Sequence, residues 1–414
     1  MSAETPPLPS GTQAAGRDAR IITLIGTGHF LSHFYVLCLP PLFLVWREEF
    51  GASFAELGLA VALMSGTTAL LQTPVGFWVD RYGARPFLVG GTLLMALSIA
   101  AMAAAPGIWA IWVLAVLSGI GNSVIHPADY AILAGSIDKS RMGRAFSLHT
   151  FTGNLGFALA PPVIALLAAL LGWRGALLAV GLLGVPVVLA ILVQSRILRD
   201  QAKPKARAAD APSGRQLLLS RPILLFFGFF LLSSMAGSGI QAFVITVLGQ
   251  LWGTPVAVAS MVLTGYMVGA TSGTLVGGWI VDRTSRNLIG FVVVLTGFAI
   301  AMILMLGLMP LPEMLLPAVG LLGGLAMGAS RTPRDVMLKD ASPPGEIGKV
   351  FGFVSSGLPL GGAITPVPLG LLIDFGYPGL VLPVVAALLA LSLLCAGSAQ
   401  AEARSRKAAP VAAE

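Results

Sequence analysis

His29 and His33 stand four residues apart in an apolar stretch, so a helix puts both imidazoles on one face. His126 and Asp129 repeat the pattern one turn apart, with Pro127 between them. Imidazole and carboxylate together suit the uptake and release of a proton near neutral pH. Arg331, Arg334 and Asp335 surround Pro333 in a third apolar stretch. A guanidinium there holds a carboxylate or another anion. Arg331 and Asp335 are spaced to pair along a helix, which leaves Arg334 for Asp129 or for an anionic ligand. Each proline lacks the N–H that a helix needs, so each predicts a kink with freed carbonyls beside the ionisable groups. Asn154, Ser234 and Gln241 offer neutral hydrogen-bonding groups in further apolar stretches.

Each group also has a plainer reading. A histidine between helices is often satisfied by packing, and that is the expectation for His149, which lies nearer the end of its stretch. Arg331 and Arg334 serve equally as an ion pair between two parts of the chain. His29 and His33 have metal-ligand spacing but no third ligand, so no metal site is expected. No nucleophile–base pair stands out, so the chain does not read as an enzyme. A phosphate-cradling glycine loop ending in Lys-Ser is absent, and no cofactor is expected.

The elements that position these side chains lie in a bilayer. Of the 414 residues, 56% are hydrophobic and 10% charged, against roughly 25% charged in a soluble domain. Twelve stretches reach the roughly 20 apolar residues that one crossing needs. A charge at the bilayer centre costs about 2.5–3.5 kcal/mol, so charges there face a cavity or a partner. The 50 glycines and 28 prolines suit closely packed membrane helices.

The net charge of +7 does not point to nucleic acid, because of where it sits. Arg17, Arg20, Arg81, Arg85, Lys139, Arg141 and Arg144 alternate with apolar stretches, and so do Arg283, Arg286, Lys339, Lys349, Arg404, Arg406 and Lys407. The opposite loops hold only Arg47 and Arg174. This bias predicts that both termini are cytoplasmic. It divides the chain into a disordered polar tail (1–20), a six-helix bundle (21–195), a basic linker (196–221), a second six-helix bundle (222–398) and a second tail (399–414).

The two bundles repeat each other. GFWVDRYGAR at Gly76–Arg85 returns as GWIVDRTSRN at Gly278–Asn287. HPAD at His126–Asp129 returns as TPRD at Thr332–Asp335, and Ala160-Pro161 as Thr365-Pro366. Parallel repeats of this kind, related by a pseudo-twofold axis, are a transporter architecture. In the first copy, an Asp80 beside a helix N-terminus is stabilised by the helix dipole, so it can latch one bundle to the other at the cytoplasmic surface. Gly76 would permit close helix contact, and Gly83 a tight turn.

Gly76, Asp80, Arg81, Gly83 and Arg85 resemble the signature loop of the major facilitator superfamily, and Asp282 and Arg283 its second copy. The likeness extends over the whole chain. GIGNSVIHPADYA and FSLHTFTGNLGFALAPP, with His126, Pro127, Gly153 and Asn154, are similar to the fosmidomycin-resistance branch. The resemblance implies a secondary transporter working by alternating access, most simply a proton-coupled exporter of a small polar or amphiphilic molecule. Proton-coupled uptake of an organic anion is the alternative. It further implies a monomer in the bacterial inner membrane, with the first, fourth, seventh and tenth spans lining a central cavity. Multidrug antiporters carry an Arg where Ala115 stands here, which leaves His126 and Asp129 as the ionisable pair of the fourth span.

Overall fold

No proline interrupts residues 11–37, and α1 runs unbroken over Gly11–Leu37. The computed structural model describes residues 11–137, 141–199, 217–283, 288–342, 350 and 353–408. The polar tail expected over 1–20 is therefore helical from Gly11 onward. Its first turns are tied down by Arg141, whose Nε lies 2.6 Å from Asp18, and by Arg17, which donates to the Ile197 carbonyl at 3.4 Å. Most of the basic linker, 200–216, lies outside the described residues. The last helix continues to Ala408, past the expected end at 398.

After α1 the chain forms α2 (Phe43–Phe50), α3 (Phe54–Tyr82), α4 (Ala84–Met102), α5 (Ile108–Ser123), α6 (Ile125–Ser136), α7 (Met142–Leu182) and α8 (Gly184–Val193). The second half contains α9 (Arg221–Trp252), α10 (Val256–Arg283), α11 (Leu288–Leu308), α12 (Leu316–Ala341), α13 (Gly357–Ile364), α14 (Pro366–Asp374) and α15 (Val381–Ala408). Ten stretches among the described residues are long and apolar enough to cross a membrane. One of them, Leu148–Val193, has 46 residues and turns back at Gly172, whose φ of 72° suits only glycine without strain. The charged α12 crosses as well, which completes an all-α fold of twelve crossings in two bundles.

The fourth crossing breaks at Val124, between α5 and α6. Pro127 cannot donate to the carbonyl one turn earlier, so the break falls where the sequence predicts it. Pro333 behaves differently and stays inside a continuous α12. Ahead of Pro333, α12 meets α10 backbone to backbone. Gly265, Gly269, Gly273 and Gly277 on α10 recur every four residues, and Gly320, Gly324 and Gly328 on α12 do the same. A Cβ on most of these would run into a carbonyl of the facing helix. Each helix thus splints the other.

The bundles meet along two seams, α3 against α13 and α14, and α7 against α10. Thr264 donates across the second seam to the Ala158 carbonyl at 2.9 Å. The first is tightest at the end away from the chain termini. There a Cβ on Gly58 would stand 2.7 Å from the Pro366 oxygen, and one on Gly370 2.6 Å from the Ala55 nitrogen.

Candidate functional site

α1 and α7 approach closely because small residues line the contact. A Cβ on Gly156 would collide with the Phe30 carbonyl. One on Gly153 would stand 2.8 Å from both His29 Nδ1 and His33 Cε1. Gly153, which carried part of the sequence resemblance, is therefore the floor of a space filled by imidazoles.

All four histidines of the chain meet there. The His29 and His33 ring centroids are 4.3 Å apart, and His126 lies 5.0 Å from His29 and 5.7 Å from His33. His149 stacks flat on His29 at 3.7 Å. Its Nε2 is 2.9 Å from Asp129 Oδ2, and its backbone carbonyl is 2.7 Å from His29 Nδ1. His29, His149 and Asp129 are buried, whereas His33 and His126 are partly exposed. His149 is thus no packing residue at the edge, as its position suggested. It is the bridge between Asp129 and His29. Its place on α7 hid this, because which helix α7 faces is not written in α7 itself.

His126 brings a third imidazole beside His29 and His33. The ligand nitrogens of the three lie within 4.8 Å of one another. Among the described residues, His29 Nε2, His33 Nδ1, His126 Nδ1 and Asp129 Oδ1 are buried atoms without hydrogen-bond partners. Buried polar atoms are satisfied in the great majority of cases, so four unpaired ones in one cluster single it out as the candidate site.

A cavity of 460 Å³ lies between α1 and α7, lined by neighbours of His29 and His149 in the chain. Its walls are Ala19, Ile22, Thr23, Gly26, Thr27 and Phe30 on one side, and Leu148, Phe151, Thr152 and Leu155 on the other. It runs from beside the Asp18–Arg141 pair, at the end holding the termini, to the residue next to His29. The lining is apolar with a few hydroxyls.

The arginines of α12 do not join this group. Arg334 pairs with Asp335 on its own helix, Nε to Oδ1 at 3.0 Å, and its guanidinium lies 3.9 Å from the Phe230 ring centre. The expected Arg331–Asp335 pair is replaced by this one, because the aromatic face of α9 draws Arg334 toward it. Asp129 is taken by His149, so the alternative of an Arg334–Asp129 pair also fails. Arg331 is exposed and has no ion pair among the described residues. Ser234 donates to the Leu358 carbonyl at 2.5 Å, a link between α9 and α13. Asn154 and Gln241 are partly buried.

At the signature loop, Gly83 has φ 88° and donates its N–H to the Val79 carbonyl at 2.9 Å, forming the turn. Among the described residues nothing lies within 4 Å of a Cβ placed at Gly76, so the expected close contact is not found there. Arg81 is exposed beside the Tyr82 ring, and Arg85 Nε is buried with no partner among the described residues. The side chains of Asp80, Asp282 and Arg283 lie outside the described residues.

A carboxylate-to-helix latch of the kind expected at Asp80 is present at the opposite end, on Asp374. Asp374, the last residue of α14, accepts from the Phe54 N–H at 2.7 Å and the Ala55 N–H at 2.8 Å. Arg47 approaches the same carboxylate at 3.3 Å. Phe54 begins α3, whose Ser53–Glu56 capping box leaves these two N–H groups for Asp374. The second bundle thus grips the first by charge on a helix N-terminus. The only local signal was an acidic residue closing an apolar stretch before Gly376.

Comparison with known proteins places this arrangement among membrane carriers. A model of the Major Facilitator Superfamily matches residues 25–249 and again 230–413. The fosmidomycin resistance protein of Escherichia coli K12 is 26% identical over 410 residues, covering 95% of this chain and 97% of that one. The multi-drug resistance efflux pump PmrA of Streptococcus pneumoniae is 25% identical over 82% of this chain and 86% of its own. A point variant of the nucleoside transporter NupG shares the fold with TM-score 0.77 at 15% identity, covering 92% of this chain and 99% of that one. A bacterial homologue of the human lysosomal transporter Spinster, in an inward-facing and occupied conformation, has TM-score 0.73 at 14% identity over 94% and 95% of the two chains.

Proposed function

We propose that this chain, which belongs to the Major Facilitator Superfamily of transporters, is a proton-coupled exporter of small amphiphilic molecules. The observation that carries the reading is the gathering of every imidazole and one buried carboxylate between the same helices that line an apolar cavity. The resistance proteins among its relatives support export over uptake. The basic loops support a cytoplasmic location for the end that holds the termini, so the cavity opens toward the cytoplasm.

Substrate enters from that side while the far side is shut by Asp374. A proton arriving from the far side in the other conformation settles on the Asp129–histidine cluster. Two cationic imidazoles this close repel, so the cluster carries one proton at a time. Its release to the cytoplasm resets the cavity for the next substrate molecule.

Inverted membrane vesicles with an acidified lumen test the direction. An exporter of this kind accumulates substrate from a panel of drugs, fosmidomycin included, as protons leave the lumen. Accumulation only when the outside is the acidic face would make the chain an uptake symporter instead. No response to either gradient would remove proton coupling.

Asp374→Ala loses two charge-assisted hydrogen bonds, each worth about 1.5–3 kcal/mol. The variant is expected to shift at least tenfold toward the outward-open state. A cysteine placed at Ala62, buried on α3 between Gly58 and Gly66, which face Pro366 and Ala363 across the seam, then becomes more reactive toward an impermeant thiol reagent added outside intact cells. Unchanged reactivity would deny Asp374 the role of a latch.

A further inference from the structure

We propose that His29, His33 and His126 bind a divalent transition-metal ion of the imidazole-preferring class, Zn²⁺ foremost. The argument starts from the free nitrogens. Three imidazoles from two helices each carry an unpartnered, buried nitrogen, and the three rings offer one nitrogen apiece within 4.8 Å of one another. In a tetrahedral zinc site with Zn–N bonds near 2.0–2.1 Å, neighbouring nitrogens are about 3.3 Å apart. Small ring rotations close the difference.

The surroundings match what a metal-binding histidine requires. A ligating imidazole usually donates its other N–H to a carbonyl or carboxylate, which fixes the tautomer and aims the lone pair. His29 Nδ1 faces the His149 carbonyl at 2.7 Å, which leaves Nε2 as the donor to a metal. His149 is held by Asp129 at 2.9 Å and lies flat against His29, so a negative carboxylate stands one ring away from the proposed dication. The fourth coordination position faces the side where His33 and His126 are partly exposed, and it remains for water or another ligand. The donor set is imidazole, which selects zinc, cobalt, nickel or copper over calcium and magnesium.

The site holds whether or not the same cluster carries the coupling proton. If it does, metal and proton compete for the same nitrogens, and bound metal halts gradient-driven transport.

The test uses the full-length protein in detergent, purified through a tag that contains no histidine. All four histidines of the chain are at the cluster, so every imidazole signal from the protein reports on it. Co²⁺ is titrated in and followed by its visible d–d absorption, which is strong in tetrahedral sites and weak in octahedral water. The expected result is an intense band that saturates at one equivalent and is displaced by Zn²⁺. His126→Gln and His33→Gln abolish it. His149→Gln keeps the ligands and weakens binding by about 10–100-fold. Cys38→Ser leaves the band unchanged, which excludes a thiolate. A wild-type protein that shows no saturable band, or a band that survives His126→Gln, overturns the site. Loss of proton coupling with the cobalt band intact would count only against the transport mechanism.

Discussion

Gly324→Leu yields no folded transporter. A side chain on Gly324 meets the carbonyl of Tyr266, and the same overlap recurs at Gly328 with Ala270, Gly269 with Leu321 and Gly273 with Leu325. The two helices touch through their backbones along four turns, and nothing flexible stands in the way to yield. Overpacking of an ordinary core costs about 1–3 kcal/mol. Here the whole α10–α12 contact must part to admit one side chain, out of a total stability of roughly 5–15 kcal/mol. The variant is expected to insert but to run as an aggregate in size-exclusion chromatography. Gly278→Ala is the matched control, because no atom of the described residues lies within 4 Å of its Cβ position, and its unfolding temperature should stay near wild type. A monodisperse, thermally stable Gly324→Leu protein would refute the backbone-contact account of this interface.

Asp129→Asn separates coupling from transport. Asp129 is fully buried, with one oxygen on His149 and the other unpartnered among the described residues. Asparagine keeps the shape and removes the group that can gain or lose a proton. One unit of pH gradient is worth about 1.4 kcal/mol per coupled proton, which is a tenfold accumulation. In Asp129→Asn, alone or with His126→Ala, that tenfold should fall to none. Counterflow, which needs alternating access but no net proton movement, should persist. Full accumulation in the double variant would move the coupling site elsewhere. Loss of counterflow as well would mean that the cluster holds the helices together and does not act as the proton site.

Several features of this transporter are written in single segments of the sequence. The apolar stretches follow from composition, and the shared face of His29 and His33 from helical periodicity. The break ahead of Pro127 follows from one missing N–H, and the turn at Gly83 from its backbone freedom. The echo of Gly76–Arg85 at Gly278–Asn287 was enough to show a doubled bundle. These are local properties, and hydropathy, periodicity and backbone sterics act within one helix. What remained illegible was every contact between helices far apart in the chain. His149 reads from its position as a packing residue, nothing in its own segment points to Asp374 as a latch, and the pairing of Arg334 with its neighbour Asp335 in place of Asp129 or an anion is decided by the packing of α9. The contact expected at Gly76 is not found among the described residues. Helix neighbours are chosen where rows of small residues let two backbones meet, as Gly153 and Gly156 do for α1 and α7. A row of glycines reveals that some helix will come close, but not which one. Only the tertiary structure decided that α7 would carry His149 to Asp129 and that α14 would carry Asp374 to the start of α3.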